Sequence, residues 1–229
     1  MDFGRAFSYV FEDSDWMKKV GIAALAMLVP ILGQIAVLGW SLEITRRLIM
    51  GQVTDLLPDW TDFMDHFMRG VKAFVIGLVF ALPSIFISIC QGIFNVLATN
   101  PDFSSSDAGG AFVAGVGIVS MCIGCFSFLY SIFLGVVMPA AYANFVVSGE
   151  IGAGLRFGEI FGLVRAAPGP YLMALLGGIV TGIIAMLGMI ACFIGVVFTA
   201  ALAMAMNAHL YGQAYNAAKT AQANAPVGI

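Results

Sequence analysis

Charge is what this chain has least of. Ten Lys and Arg and thirteen Asp and Glu make up a tenth of its 229 residues, and they are joined by only two histidines and four cysteines. A net charge of −3 with no Lys/Arg tract excludes a nucleic-acid-binding surface. The cysteines, Cys90, Cys122, Cys125 and Cys192, all fall in apolar segments, where disulfide exchange and zinc have no place. The Cys122-Ile-Gly-Cys125 spacing is then one face of a helix rather than a metal motif. The first fifteen residues carry four acids and lack the basic start and small-residue cleavage site of a signal peptide, so the N-terminus is expected to be retained. No histidine cluster, paired intramembrane carboxylates or serine beside a base can be assembled, which removes the usual parts of hydrolysis and metal catalysis. Gly109-Gly110 and Gly177-Gly178 lack the lysine of a phosphate loop. No catalytic residue, cofactor or metal ligand is assigned, and the chain is expected to be non-enzymatic.

What it has in abundance is apolar surface. Hydrophobic residues make up 61% of the chain and its mean hydropathy is +0.98, which places it among integral membrane proteins. Four runs reach the roughly 20 residues a span requires: Val20 to Thr45, Val71 to Ala98, Ala111 to Val147, and Tyr171 to about Leu210. The fourth is long enough for two spans, with Gly188 and Gly195 bracketing a turn. The third is too long for one upright helix, and Pro139 is expected to kink it or end its membrane part. The first carries basic pairs at both ends, Lys18-Lys19 and Arg46-Arg47, and is broken at Pro30, Gly33 and Gln34. All ten basic residues share one side if residues 20–45 form a re-entrant or broken hairpin, whereas one kinked span would leave a basic N-terminus outside. The loop Thr99 to Gly110 has no basic residue and is expected to be external. The expected fold is all-α with about six membrane segments: the broken hairpin, two single spans and a C-terminal helical hairpin. It would lie in the cytoplasmic (inner) membrane with both termini cytoplasmic. Residues 1–215 would be a single polytopic domain and 216–229 a disordered tail.

Three stretches place aromatic rings at i and i+4 among charges: Phe3 with Phe7, Phe63 with Phe67, and Phe157 with Phe161. Each is expected to be an amphipathic helix along the interface, with Trp16 and Trp60 as further headgroup-level anchors. Gly154, Gly158 and Gly162, and Gly178 with Gly182, recur every four residues and are expected to let helices pack closely, within the chain or between copies. The ionisable and polar residues nearest the apolar runs are Glu43 with Arg46 and Arg47, which suit a helical ion pair, and His209 with Gln213, which suit an interfacial hydrogen bond or a small polar site.

The segments FGRAFSYVFEDSDWMKK, the broken run around Pro30-Ile-Leu-Gly33, LPDWTDF followed by Arg69-Gly70, and AHLYGQAY together resemble a prokaryotic membrane-protein family, domain of unknown function 4013. The resemblance spans nearly the whole chain. It implies a polytopic fold related to the membrane domain attached to some glycerophosphodiester phosphodiesterases, and it carries over no catalytic or ligand residues. Two roles fit the sequence. One is a structural or assembly component that packs as a homo-oligomer or beside a membrane-protein partner, in contact with lipids and without nucleic acid. The alternative is a transporter or channel for a small solute or lipid, in which Gln34 beside the break would line the path.

Overall fold

The computed structural model describes residues 1–100 and 107–224. The described residues are helical, turn or irregular throughout, in the order α1 (Phe3–Glu12), α2 (Trp16–Met27), α3 (Leu32–Ile49), α4 (Phe63–Ala98), α5 (Asp107–Ser148), α6 (Phe157–Ala166), α7 (Pro168–Leu187) and α8 (Cys192–Asn224). Short 3₁₀ turns at Ile151–Leu155 and Gly188–Ala191 join α5 to α6 and α7 to α8. Four helical stretches are long and apolar enough to cross a membrane: Phe63–Ala98, Gly115–Ser148, Pro168–Ile190 and Gly195–Asn224. With the family established below, this makes the chain a membrane protein. Residues 1–77 and 135–224 make one compact unit; the described residues of Leu78–Leu134 make a second.

The first unit is organised around α8. Alanine lines its inner faces, with Ala201, Ala205, Ala214 and Ala218 fully buried, so neighbouring backbones can approach closely. Helices α1, α2, α3, α6 and α7 all pack on it. Three side chains donate to carbonyls across these contacts: Tyr9 Oη to Ala205 at 2.7 Å, Thr45 Oγ1 to Ala208 at 2.8 Å and Asn216 Nδ2 to Leu48 at 3.2 Å. Where apolar side chains gain little by leaving lipid, such bonds and close packing hold the helices together. In the second unit, Tyr130 Oη donates to the carbonyl of Phe80 at 2.7 Å, and Tyr130 stacks with Phe126 and Phe133.

The apolar run of residues 20–45 is interrupted at residues 28–31. Pro30 lies in the turn, and Ile31 adopts a positive φ of 65° before α3 begins. Gly33 follows because α2 passes directly over it: a Cβ there would run into the carbonyl of Ala26. Pro139, by contrast, does not end its helix, and α5 continues through it to Ser148. The aromatic pair Phe63 and Phe67 is not on a separate interfacial helix but in the first turns of α4. Residues 216–224 are not a disordered tail. They extend α8, with Ala218 fully buried and Asn216 bonded to α3, while residues 225–229 lie outside those described. Small side chains without helix breakers read as a frayed end, yet Asn216 and Ala218 fit against neighbours.

A second close approach is between α3 and α4. A Cβ on Gly39 would strike the carbonyl of His66, and one on Gly70 would strike the carbonyl of Ile35. Only glycine at both positions allows two helix backbones to touch there. Replacing Gly39 or Gly70 by Leu should cost at least about 1–3 kcal/mol of stability, the range for overpacking. Gly21→Ala, where the added carbon meets open space, should cost nothing. Thermal unfolding in mild detergent measures both, and equal midpoints for all three variants would contradict the crossing.

Candidate functional site

The α3–α4 crossing fixes what lies beside it. Glu43 sits one helical turn beyond Gly39, and Arg69 immediately precedes Gly70, so the contact carries the Arg69 guanidinium to 2.9 Å from the Glu43 carboxylate. Arg46 and Arg47 reach the same carboxylate from α3 at 3.1 and 3.4 Å, as the i+3 and i+4 spacing dictates. Glu43 is buried. A buried carboxylate costs several kcal/mol unless it is paired, and three guanidiniums supply the pairing.

The same frame holds the loop between α3 and α4. Leu56, Leu57 and Pro58 are buried, which takes their stretch of backbone out of water and leaves carbonyls in need of donors. Side chains from four helices supply them. Arg5 Nη2 donates to Val53 at 3.2 Å, and Arg47 Nη1 to Asp55 at 2.8 Å. Lys19 Nζ donates to Leu57 at 3.1 Å, and Trp40 Nε1 to Pro58 at 2.9 Å. His66 Nε2 lies 2.9 Å from the Asp59 carbonyl. Since a carbonyl only accepts, the His66 proton sits on Nε2, and Nδ1 accepts from Arg69 Nη1 at 3.4 Å. Lys19 is also held by Asp13 at 2.8 Å and Asp59 at 3.5 Å. Burial opposes its charge, but the Asp13 hydrogen bond and the two carboxylates outweigh it and push the ammonium above its usual range. Trp60, half-buried, packs within the chain: it stacks on Trp40 with centroids 5.7 Å apart, and its Nε1 donates to the Lys19 carbonyl at 2.9 Å.

His209 and Gln213 are placed elsewhere, against α1. Gln213 bridges the Asp2 backbone, accepting from its N–H at 2.7 Å and donating to its carbonyl at 2.9 Å. That fixes the amide's orientation, so its Nε2 also donates to His209 Nδ1 at 2.9 Å. In the neutral ring the proton is then on Nε2, which is buried with no hydrogen-bond partner among the described residues. The ring stacks on Tyr9 at 4.5 Å. Burial pushes the Tyr9 phenol well up, keeping it a donor to Ala205.

The remaining expected residues are distributed. Gln34 borders an apolar cavity of about 460 Å³ with Met27, Leu38, Phe74 and Met204. Phe3 and Phe7 pair at 5.1 Å, Phe63 and Phe67 at 6.3 Å, and Trp16 packs edge-on against Phe11 and Phe198. Phe157 is exposed and Phe161 half-buried. Of the spaced glycines, Gly154 lies against Ile76 and Phe145, Gly162 and Gly178 are in ordinary contact with Gln222 and Asn207, and Gly158 and Gly182 face open space. Sequence reasoning missed Arg69, Trp40, Lys19 and His66. The signal for Arg69 was the glycine pair, four residues before Glu43 on one helix and one residue after Arg69 on the next.

A cleft of about 430 Å³ opens beside the Glu43 cluster, lined by Arg46, Arg69, Lys72, Asp65, Met68 and Phe145 among others. It holds the spare cations of an arrangement that is otherwise a clamp. The Glu43 carboxylate offsets one of the three guanidinium charges, and the loop carbonyls take donors from Arg5, Lys19, Trp40 and Arg47.

Removing the carboxylate exposes this dependence. Glu43→Ala leaves three guanidiniums crowded together and should destabilise the protein by roughly 3–5 kcal/mol, whereas Arg46→Ala removes a half-exposed partner and should cost less than about 1 kcal/mol. Chemical unfolding in detergent ranks the two; equal losses would mean that Glu43 is not the centre of the cluster.

Comparison with curated proteins and with solved structures gives no match. A family profile described as protein of unknown function (DUF4013) matches residues 22–207, a range that takes in α3, its loop, the Glu43 cluster and most of the helices. The chain therefore belongs to that family.

Proposed function

We propose that this is a non-enzymatic, multi-pass component of the cytoplasmic membrane that packs as a homo-oligomer or beside a membrane-protein partner. The observation that carries the reading is in the second unit. At Gly92, Gly115, Gly117 and Gly124 an added Cβ would meet nothing within 4 Å, so the close-approach faces of these helices are unused among the described residues. Around them large apolar side chains such as Ile118, Met121 and Phe128 stand exposed, as lipid-facing or partner-facing residues do. The non-enzymatic reading draws support from the commitments of the polar groups: Glu43 is shared by three arginines, and His66 and Lys19 are bonded to loop carbonyls.

The loop clamp supports an orientation with both termini cytoplasmic. Arg5, Lys19 and Arg47 all donate to the Val53–Leu57 backbone, and Arg46 and Arg69 join through Glu43, so these five cations share one end of the first unit. Cations collect on the cytoplasmic side. At 12 residues α2 is about 18 Å long, too short for a 30 Å core, so α2 and α3 enter and leave from that same side. Four crossing helices then return the C-terminus to it.

Two measurements test these readings. Single cysteines at Ser14 and Ser105, in a cysteine-free background, should react with an impermeant reagent from opposite faces of sealed vesicles; reaction from one face only would overturn the orientation. The intact particle, extracted in mild detergent, should weigh a discrete multiple of the chain or include a stoichiometric partner. Gly117→Leu with Gly124→Leu should convert it to the single chain. A single chain from the outset, whose reconstituted vesicles pass a small solute, would replace assembly with transport.

A further inference from the structure

The cleft beside Glu43 has more positive charge than its own carboxylates neutralise. Three cations line it, Arg46, Arg69 and Lys72, against one lining carboxylate, Asp65, while Glu43 behind them is shared with a fourth cation, Arg47. Counting Glu150, next in sequence to the cleft residue Gly149, still leaves a positive excess. Hydrogen-bond donors are also in surplus. A guanidinium has five N–H groups and an ammonium three. Arg46 spends its contacts on Glu43, Arg69 on Glu43 and His66, and Lys72 on the Gly149 carbonyl at 3.0 Å. Arg47 is turned away to the loop, but the other three line the cleft.

The cleft's level in the membrane narrows what would fill it. Lys72 is the last charged residue before the apolar stretch of α4, and Glu150 is the first after that of α5. The cleft thus lies where two spans emerge from hydrocarbon, the depth of lipid phosphates. Its wall is mixed, with Met68 and Phe145 beside the cations, as an amphiphile's headgroup and its glycerol end require.

We infer that this cleft binds a phosphate anion, with Arg46, Arg69 and Lys72 as donors and Met68 and Phe145 against the part of the ligand that leads toward the acyl chains. The inference does not depend on the assembly reading. Spare guanidinium and ammonium donors form short charge-assisted bonds to phosphate oxygens, which is why basic pockets at membrane-helix ends hold anionic headgroups.

The full-length protein in nanodiscs of phosphatidylcholine doped with phosphatidylglycerol provides the test. Native mass spectrometry should show phosphatidylglycerol retained over phosphatidylcholine. Lys72→Gln combined with Arg46→Gln should lower that retention about tenfold, equivalent to about 1.4 kcal/mol, and Lys72→Arg should keep it. Both altered side chains are exposed, and an unchanged gel-filtration profile confirms that the variant is folded. Inorganic phosphate titrated into the detergent-solubilised protein distinguishes the source. Heat of binding that the same variants abolish, without any phosphatidylglycerol preference, would keep the phosphate site and assign it to a soluble ligand. Absence of both signals, or signals equal in wild type and variants, would overturn the inference.

Discussion

Two glycines set the terms for the rest of this molecule. Gly39 and Gly70 let α3 and α4 meet backbone to backbone, and side chains one turn away inherit the consequence. The contact presses Arg69 onto Glu43, brings His66 under the loop and leaves Trp40 pointing at Pro58. With any larger residue at the crossing the helices would separate by more than the reach of these bonds. The polar cluster is thus a product of steric absence rather than of attraction between charges, because the attraction alone barely offsets the desolvation of a buried carboxylate.

Two kinds of stabilisation hold the first unit. Alanines on α8 and single hydroxyl or amide donors onto helix carbonyls join the helices. At the charged end, a buried loop takes its donors from four helices, so the loop acts as a strap that ties α1, α2, α3 and α4 together. The excess of cations left by this arrangement is what makes the adjacent cleft suited to an anion.

The sequence displayed the fold at the level where one residue type has one physical meaning. Long uncharged runs marked the helices that can span, and Pro30 marked the interruption before α3 because proline withholds a donor and fixes φ. Pro139 shows the limit of that reading: α5 continues through it, as membrane helices can when neighbours satisfy the freed carbonyl. The site was legible only in part. Glu43 with Arg46 and Arg47 is a local pair visible from spacing, but Arg69 and His66 join it from another helix, and pattern along a chain carries no distance between helices. Trp60 beside Asp59 looks like a headgroup anchor from composition, whereas the stack with Trp40 depends on the path of a loop. The end of α8 was missed for a related reason. Small residues such as Ala214 and Ala218 give no hydrophobic signal and become informative only when a neighbour fills the space beside them.

The Gln213 clamp on Asp2 joins the second residue of the chain to the last helix. Because α1, α2 and α3 all pack on α8, one face of each stays uncovered until α8 is made, although α2 and α3 already meet each other and α3 meets α4. During synthesis the faces that bear Tyr9, Val20 and Thr45 must wait in the membrane, unpaired, while four intervening helices are threaded past them. Packing of the first unit therefore closes on α8, and the time spent waiting for that helix is the interval in which a chaperone or insertase would have most to protect.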